Sequence, residues 1–278
     1  MSILDKMERI DRRWIFAIQM VVFVLTIVRP VGLALEVGQN TRNVLNVLDA
    51  LPPGSLVWFA ADYEPAGSAE VEPSARAFVR YAMKHDLRVA SASMWPEGGM
   101  MFDQLVKLME AEFPHKKYGE DYVNLGYRPG GQVFLQQLTE NLPAAVVGVD
   151  HYGNSLDSLP MMKDVKSIKD FKVVFGIAEG EPGYREYIKV VTDPLQIPYV
   201  VALVAVSVSE AMPMVGSGQI DGLLAGLRGA AEFEKLSENP GRAMTGMDAQ
   251  SFINVTILVF IVLGNAGYFV KKRQGGKE

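Results

Sequence analysis

In a parallel α/β sheet ligands bind beyond the carboxyl ends of the strands, so the polar residues that follow apolar β-branched runs matter first. Asp62 and Glu64 follow the run 55–60, Arg128 follows 121–125, Asp150 and His151 follow 144–149, and Glu179 follows 171–177. Carboxylates and an imidazole brought together could hold a divalent cation or share the work of general acid and base. Polar residues also end strands simply because the chain is leaving the core there. The six are therefore a candidate ligand groove; none is assigned to catalysis, no cofactor is expected, and a metal is left unassigned.

The motifs that would make such a groove a known kind of enzyme are missing. There is no G-x-S-x-G turn to present a nucleophilic serine, no G-x-x-x-x-G-K-[ST] loop to cradle phosphates, and no H-E-x-x-H pair for zinc. The absence of cysteine excludes a disulfide framework, a thiolate nucleophile and cysteine-bound metal centres. A glycine-rich stretch from Gly216 opens the run 218–236, which reads as one helix. Gly218, Gly222 and Gly226 recur every four residues, so on a helix they share a face without side-chain volume. Close packing against another backbone is the expected role, in preference to anion binding at the helix start.

The elements that must position these residues alternate. Apolar runs at 55–60, 87–93, 121–125, 144–149, 171–177 and 199–208 read as strands, and the stretches 73–85, 100–113, 131–141, 183–191 and 218–236 read as helices. Such alternation predicts a largely parallel sheet with helices on both faces, a three-layer Rossmann-like or flavodoxin-like α/β domain over 55–244. Residues 36–54 read as a linker with a helix at 40–51. The apolar run 197–215 could be read as a membrane span, but its β-branched content, its prolines and Glu210 favour a central strand followed by a loop.

Outside this domain lie two apolar segments. Residues 14–35 carry only Arg29 as a charge, and 252–270 carry none before Lys271, Lys272 and Arg273. A helix needs about 20 residues to cross a bilayer, so both read as transmembrane helices, the first with a cleaved signal peptide as its competitor. Basic residues gather in the tails 1–13 and 271–278, which predicts both termini in the cytoplasm and the domain outside the cell membrane. Between residues 36 and 250 there are 18 Lys and Arg against 28 Asp and Glu, a net charge of −10, and the whole chain carries −5. That balance argues against nucleic-acid binding, which needs a basic face. With 49% hydrophobic and 21% charged residues among 278, the chain is a folded protein.

These features predict a two-pass, non-enzymatic assembly or accessory subunit of a membrane complex or homo-oligomer. Gln19, Asn254 and Asn265, with Gly264 and Gly267, suit contact between membrane helices. The alternative is a tethered small-molecule binding or sensory domain using the strand-end groove, and a hydrolase-like enzyme comes third.

Overall fold

The structure, a computed structural model, describes residues 11–29, 31–32 and 35–275. Along the chain the elements are α1 (Arg12–Val28), α2 (Gln39–Asp49), β1 (Leu56–Asp62), α3 (Ser68–Lys84), β2 (Arg88–Ser93), α4 (Gly98–Glu110), β3 (Tyr122–Tyr127), α5 (Gln132–Glu140), α6 (Leu142–Ala145), β4 (Val173–Ala178), α7 (Tyr184–Tyr187), β5 (Tyr199–Leu203), α8 (Val208–Gly216), β6 (Gly222–Ala225), α9 (Gly226–Leu236) and α10 (Arg242–Gly275). Residues 35–243 form one compact unit, and the chain on either side forms a second.

The strands of the first unit are buried along nearly their whole length, as strands covered on both faces must be. They pair in parallel in the order β3-β2-β1-β4-β5-β6, the order of a Rossmann-type doubly wound sheet. Successive side chains alternate between faces. Val57, Phe59, Ala61, Phe175 and Ile177 point into a core closed by α2, α3, α4 and α9; Trp58, Ala60, Val174 and Val201 point into the opposite core, closed by α5 and the helical segment around Tyr187. Stacked rings tie the first core together, with Phe78 5.4 Å from Phe59 and 3.9 Å from Phe175. The helix expected within a linker, α2, belongs to this core through Val44 and Leu48, both buried.

Three expected elements differ. The run 144–149 is not a strand: Pro143 and the Asn141 side chain, which accepts the Ala144 N–H, start the single turn α6, and left-handed Val147 and Gly148 then break the extended path. The strand expected at 199–208 ends at Leu203, where its pairing with β4 and β6 ends, and the expected loop at 208–215 is α8. The run 218–236 is not one helix. Gly218 lies in a turn, Gly222 begins β6 and Gly226 begins α9, so the three glycines share no face. Strand pairing overrode the helical spacing because β5 has an open edge that Gly222–Ala225 fills. Close approach survives at Gly222 for a different reason: α2 crosses it, and a Cβ there would lie 2.6 Å from the Val44 backbone nitrogen.

In the second unit α1 has 17 residues, at the lower limit of what can cross a bilayer. Among the described residues one helical stretch, Arg242–Ala266, is long and apolar enough to cross a membrane by length and composition. Large apolar side chains on both helices are exposed, among them Phe16, Val21, Leu25, Leu258, Val259 and Val262. Asn265 donates from Nδ2 to the Ile261 carbonyl within its own helix, so this donor is satisfied without a neighbouring helix.

Gly222→Ala is expected to destabilise the full chain by about 1–3 kcal/mol, because the methyl group meets α2 backbone that cannot swing aside. Gly216→Ala, with open space around it, should change little. Thermal unfolding of both variants in mild detergent checks the difference; equal midpoints would contradict the packing of α2 on β6.

Candidate functional site

In this strand order the crevice lies where β1 and β4 part company at their carboxyl ends. Asp62 closes β1, and its carbonyl accepts the Glu179 N–H at 3.1 Å just past β4. Its carboxylate is buried and accepts the Met94 N–H at 2.6 Å, with the Ser93 hydroxyl 3.3 Å away. Ser93 has its own duties there, donating to the Ala61 carbonyl at 2.7 Å and accepting the Trp95 N–H at 2.9 Å. Burial pushes the Asp62 carboxyl up to about 7, against the opposing pull of the Met94 and Ser93 contacts and with a small push from Glu186.

Glu179 takes the place a ligand would want. Its carboxylate accepts the Glu64 N–H at 3.1 Å and lies against Gly67, where any side chain would overlap it. Gly67 immediately precedes α3, so this is the helix N-terminus at which a doubly wound sheet offers N–H groups and a positive dipole to phosphate. The carboxylate of Glu179 lies beside that start. Trp95 then crosses from the β2 loop to the β4 loop: its indole donates from Nε1 to the Pro182 carbonyl at 2.8 Å and packs on Gly180.

The same rim is bonded across at further points. The Ala205 N–H after β5 donates to Glu70 of α3 at 2.8 Å, and Arg185 joins Glu181 (3.0 Å) to Glu210 of α8 (2.6 Å). The exposed Arg185 pairs add little energy, but they fix how the β4 and β5 loops meet.

The six candidates fall into two groups. Asp62, Glu64 and Glu179 meet at the β1–β4 crevice, whereas Arg128, Asp150 and His151 meet beyond β3. Arg128 donates from Nη2 to the Val149 carbonyl at 2.8 Å. Burial raises the Asp150 carboxyl, but hydrogen bonds from the Asn154 amide, the Tyr118 hydroxyl and the Asn154 and Tyr152 backbone outweigh it and hold the group below the usual carboxylate range. Asp150 is thereby used up in shaping its own turn. His151 packs on Gly126 and Gly99, with Nε2 4.0 Å from Asp103. Among the described residues no three His, Asp or Glu side chains gather as metal ligands would, so the convergence on a cation that strand-end carboxylates allow is not formed.

One participant escaped sequence reading. Asp103 accepts the Tyr152 hydroxyl at 2.6 Å and the Asn124 amide at 2.7 Å, and borders a cleft of about 390 Å³ shared with Tyr118 and Tyr122. Its signal was a charge set between Phe102 and the apolar positions of α4. The reach of Trp95 across β1 to Pro182 depends on strand order, which no local pattern reveals.

The Asp62 environment sets a pH dependence of stability. Its folded value is raised, so between 3.8 and about 7 the folded chain keeps a proton that the unfolded chain has lost. Stability contributed by this group is therefore full at low pH, falls as pH rises through that window, and is flat above it. Asp62→Asn keeps an oxygen for the Met94 N–H and removes the charge. Its melting temperature should exceed the parent's at pH 8, with the gap closing toward pH 4; a constant gap would contradict a buried, proton-retaining carboxyl.

Comparison with protein-family models, with curated proteins and with solved structures finds no match to this chain, so function has to be read from the chemistry of these residues.

Proposed function

We propose that this chain is a two-span membrane subunit whose α/β domain lies outside the cytoplasm and works by assembly, with itself or with other membrane subunits, and not by catalysis. The observation that carries the reading is the closed strand-end rim, where the Glu179 carboxylate lies against Gly67 at the start of α3 and Trp95 bridges two loops over the crevice. A groove already filled by its own carboxylate and indole offers a substrate little room. Support for the anchors comes from the exposed apolar side chains of α1 and α10, which water solvates poorly. The basic tails, with Lys6, Arg9, Arg12 and Arg13 at one end and Lys271, Lys272, Arg273 and Lys277 at the other, support cytoplasmic termini.

Val147 supports assembly specifically. It is 77% exposed and holds a φ of 59°, a left-handed backbone that a β-branched residue adopts only at a cost. Strain kept at an exposed apolar residue is what a contact surface would retain, and Val206, Val133 and Tyr127 are further exposed apolar groups on the same domain. The alternative, a tethered small-molecule binding domain, draws on the cleft beside Asp103.

Native mass measurement on the full chain in mild detergent separates the two. Assembly predicts multiples of 30.6 kDa or co-extracted subunits. Val147→Gly should relieve the strained backbone, so the melting temperature holds or rises while the assembled fraction falls. A monomer in every mild detergent, with Val147→Gly behaving as the parent, would contradict assembly.

A further inference from the structure

On the helical face opposite α5, a cleft of about 370 Å³ lies between α3, α4 and the turn that follows α9. Three arginines line it, Arg76, Arg80 and Arg242, together with Asn239, Glu112 and Glu234. Their roles differ. Arg80 is fully engaged, forking onto Glu112 at 2.8 and 2.7 Å and donating to the Pro240 carbonyl at 2.7 Å, so its charge is cancelled. Glu234 accepts the Ala243 N–H at 3.1 Å. Arg76 and Arg242 form no side-chain hydrogen bond or ion pair among the described residues, and the Arg76 Nε–H is buried without an acceptor.

Asn239 carries the second observation. The residue is 94% buried, being 6% exposed, and its Oδ1 accepts from the Lys84 ammonium at 3.2 Å. That contact fixes which way round the amide sits, because an ammonium can only donate. Nδ2 is left buried with no acceptor. Two buried donors from different elements therefore lack acceptors in one cleft, where such groups are normally paired and costly to leave open. With Arg242 in the same wall, the missing partner has to accept hydrogen bonds and is favoured if negative.

We propose that this cleft binds a phosphate group, held by the Arg76 guanidinium and the Asn239 amide with Arg242 at its mouth. A guanidinium fork matches the paired oxygens of phosphate, which accept from several directions at once. The phosphate has two sources of the same chemistry, a soluble phosphate or the headgroup of an anionic phospholipid. Arg242 also opens the 34-residue helix α10, so the lipid source rests on the membrane reading above, whereas the soluble source does not.

The test is thermal unfolding of the full chain. In neutral detergent, inorganic phosphate is titrated at constant ionic strength. In a parallel arm the chain is placed in nanodiscs of phosphatidylcholine with or without phosphatidylglycerol. A saturable rise in melting temperature of about 2–5 °C is expected in at least one arm. Asn239→Asp puts a carboxylate where the free amide stood while keeping an oxygen for Lys84, so the chain stays folded and the rise should disappear. Arg76→Gln should weaken binding at least tenfold. A rise with phosphate assigns a soluble ligand, and a rise confined to phosphatidylglycerol assigns a headgroup. No rise in either arm, or a rise that persists in Asn239→Asp, would overturn the proposal.

Discussion

Asp62 has to be satisfied without water, and the shape of the strand-end rim depends on how that is done. Its carboxyl ends the central strand β1, at the place where the sheet changes direction, and takes the Met94 N–H as its donor. That bond pins the turn after β2 to the end of β1. Trp95 is thereby aimed across the crevice toward the β4 loop, where Gly180 leaves room for the ring and Pro182 offers a carbonyl. Glu179, one residue past β4, then fills the start of α3. A buried carboxyl that keeps its proton near neutrality is therefore part of a closure: the less charge it carries, the less the closed rim costs.

The consequence is a doubly wound sheet with its customary ligand position occupied by its own side chains. A dinucleotide-binding relative of this architecture would present glycine N–H groups to a pyrophosphate at that helix start. Here Gly67 serves instead to admit the carboxylate of Glu179. The same kind of glycine, placed by the same logic of close approach, thus excludes a ligand where elsewhere it would admit one. Two of the buried polar groups without a partner, Arg76 Nε and Asn239 Nδ2, share the arginine-lined cleft beside α3.

Much of the fold was legible because buried parallel strands leave continuous apolar runs. The runs 55–60, 87–93 and 171–177 mark strands, and Phe102, Leu105 and Met109 mark the buried side of α4 at helical spacing. The failures have different causes. At 144–149 the composition favours a strand, yet Pro143 and the Asn141 cap start a helical turn and left-handed Val147 and Gly148 turn the chain away. At 218–236 glycine spacing suggests a helix face, yet the open edge of β5 recruits Gly222–Ala225 as β6. The second outcome was decided by pairing with residues distant in sequence, the first by capping and backbone conformation within the segment itself. The site was legible residue by residue, since Asp62, Glu64 and Glu179 do meet, but their separation from Arg128, Asp150 and His151 follows from strand order alone.

In the proposed topology the domain lies outside a membrane, tied by apolar helices at both ends. Because the chain has no cysteine, a single introduced thiol reports its own side of the bilayer without background. Lys163 is exposed on the domain, and Gln274 lies near the far end of α10. The account predicts that Lys163→Cys reacts with a membrane-impermeant maleimide in intact cells, while Gln274→Cys reacts only after permeabilisation. Labelling of Gln274→Cys in intact cells with Lys163→Cys protected would contradict it.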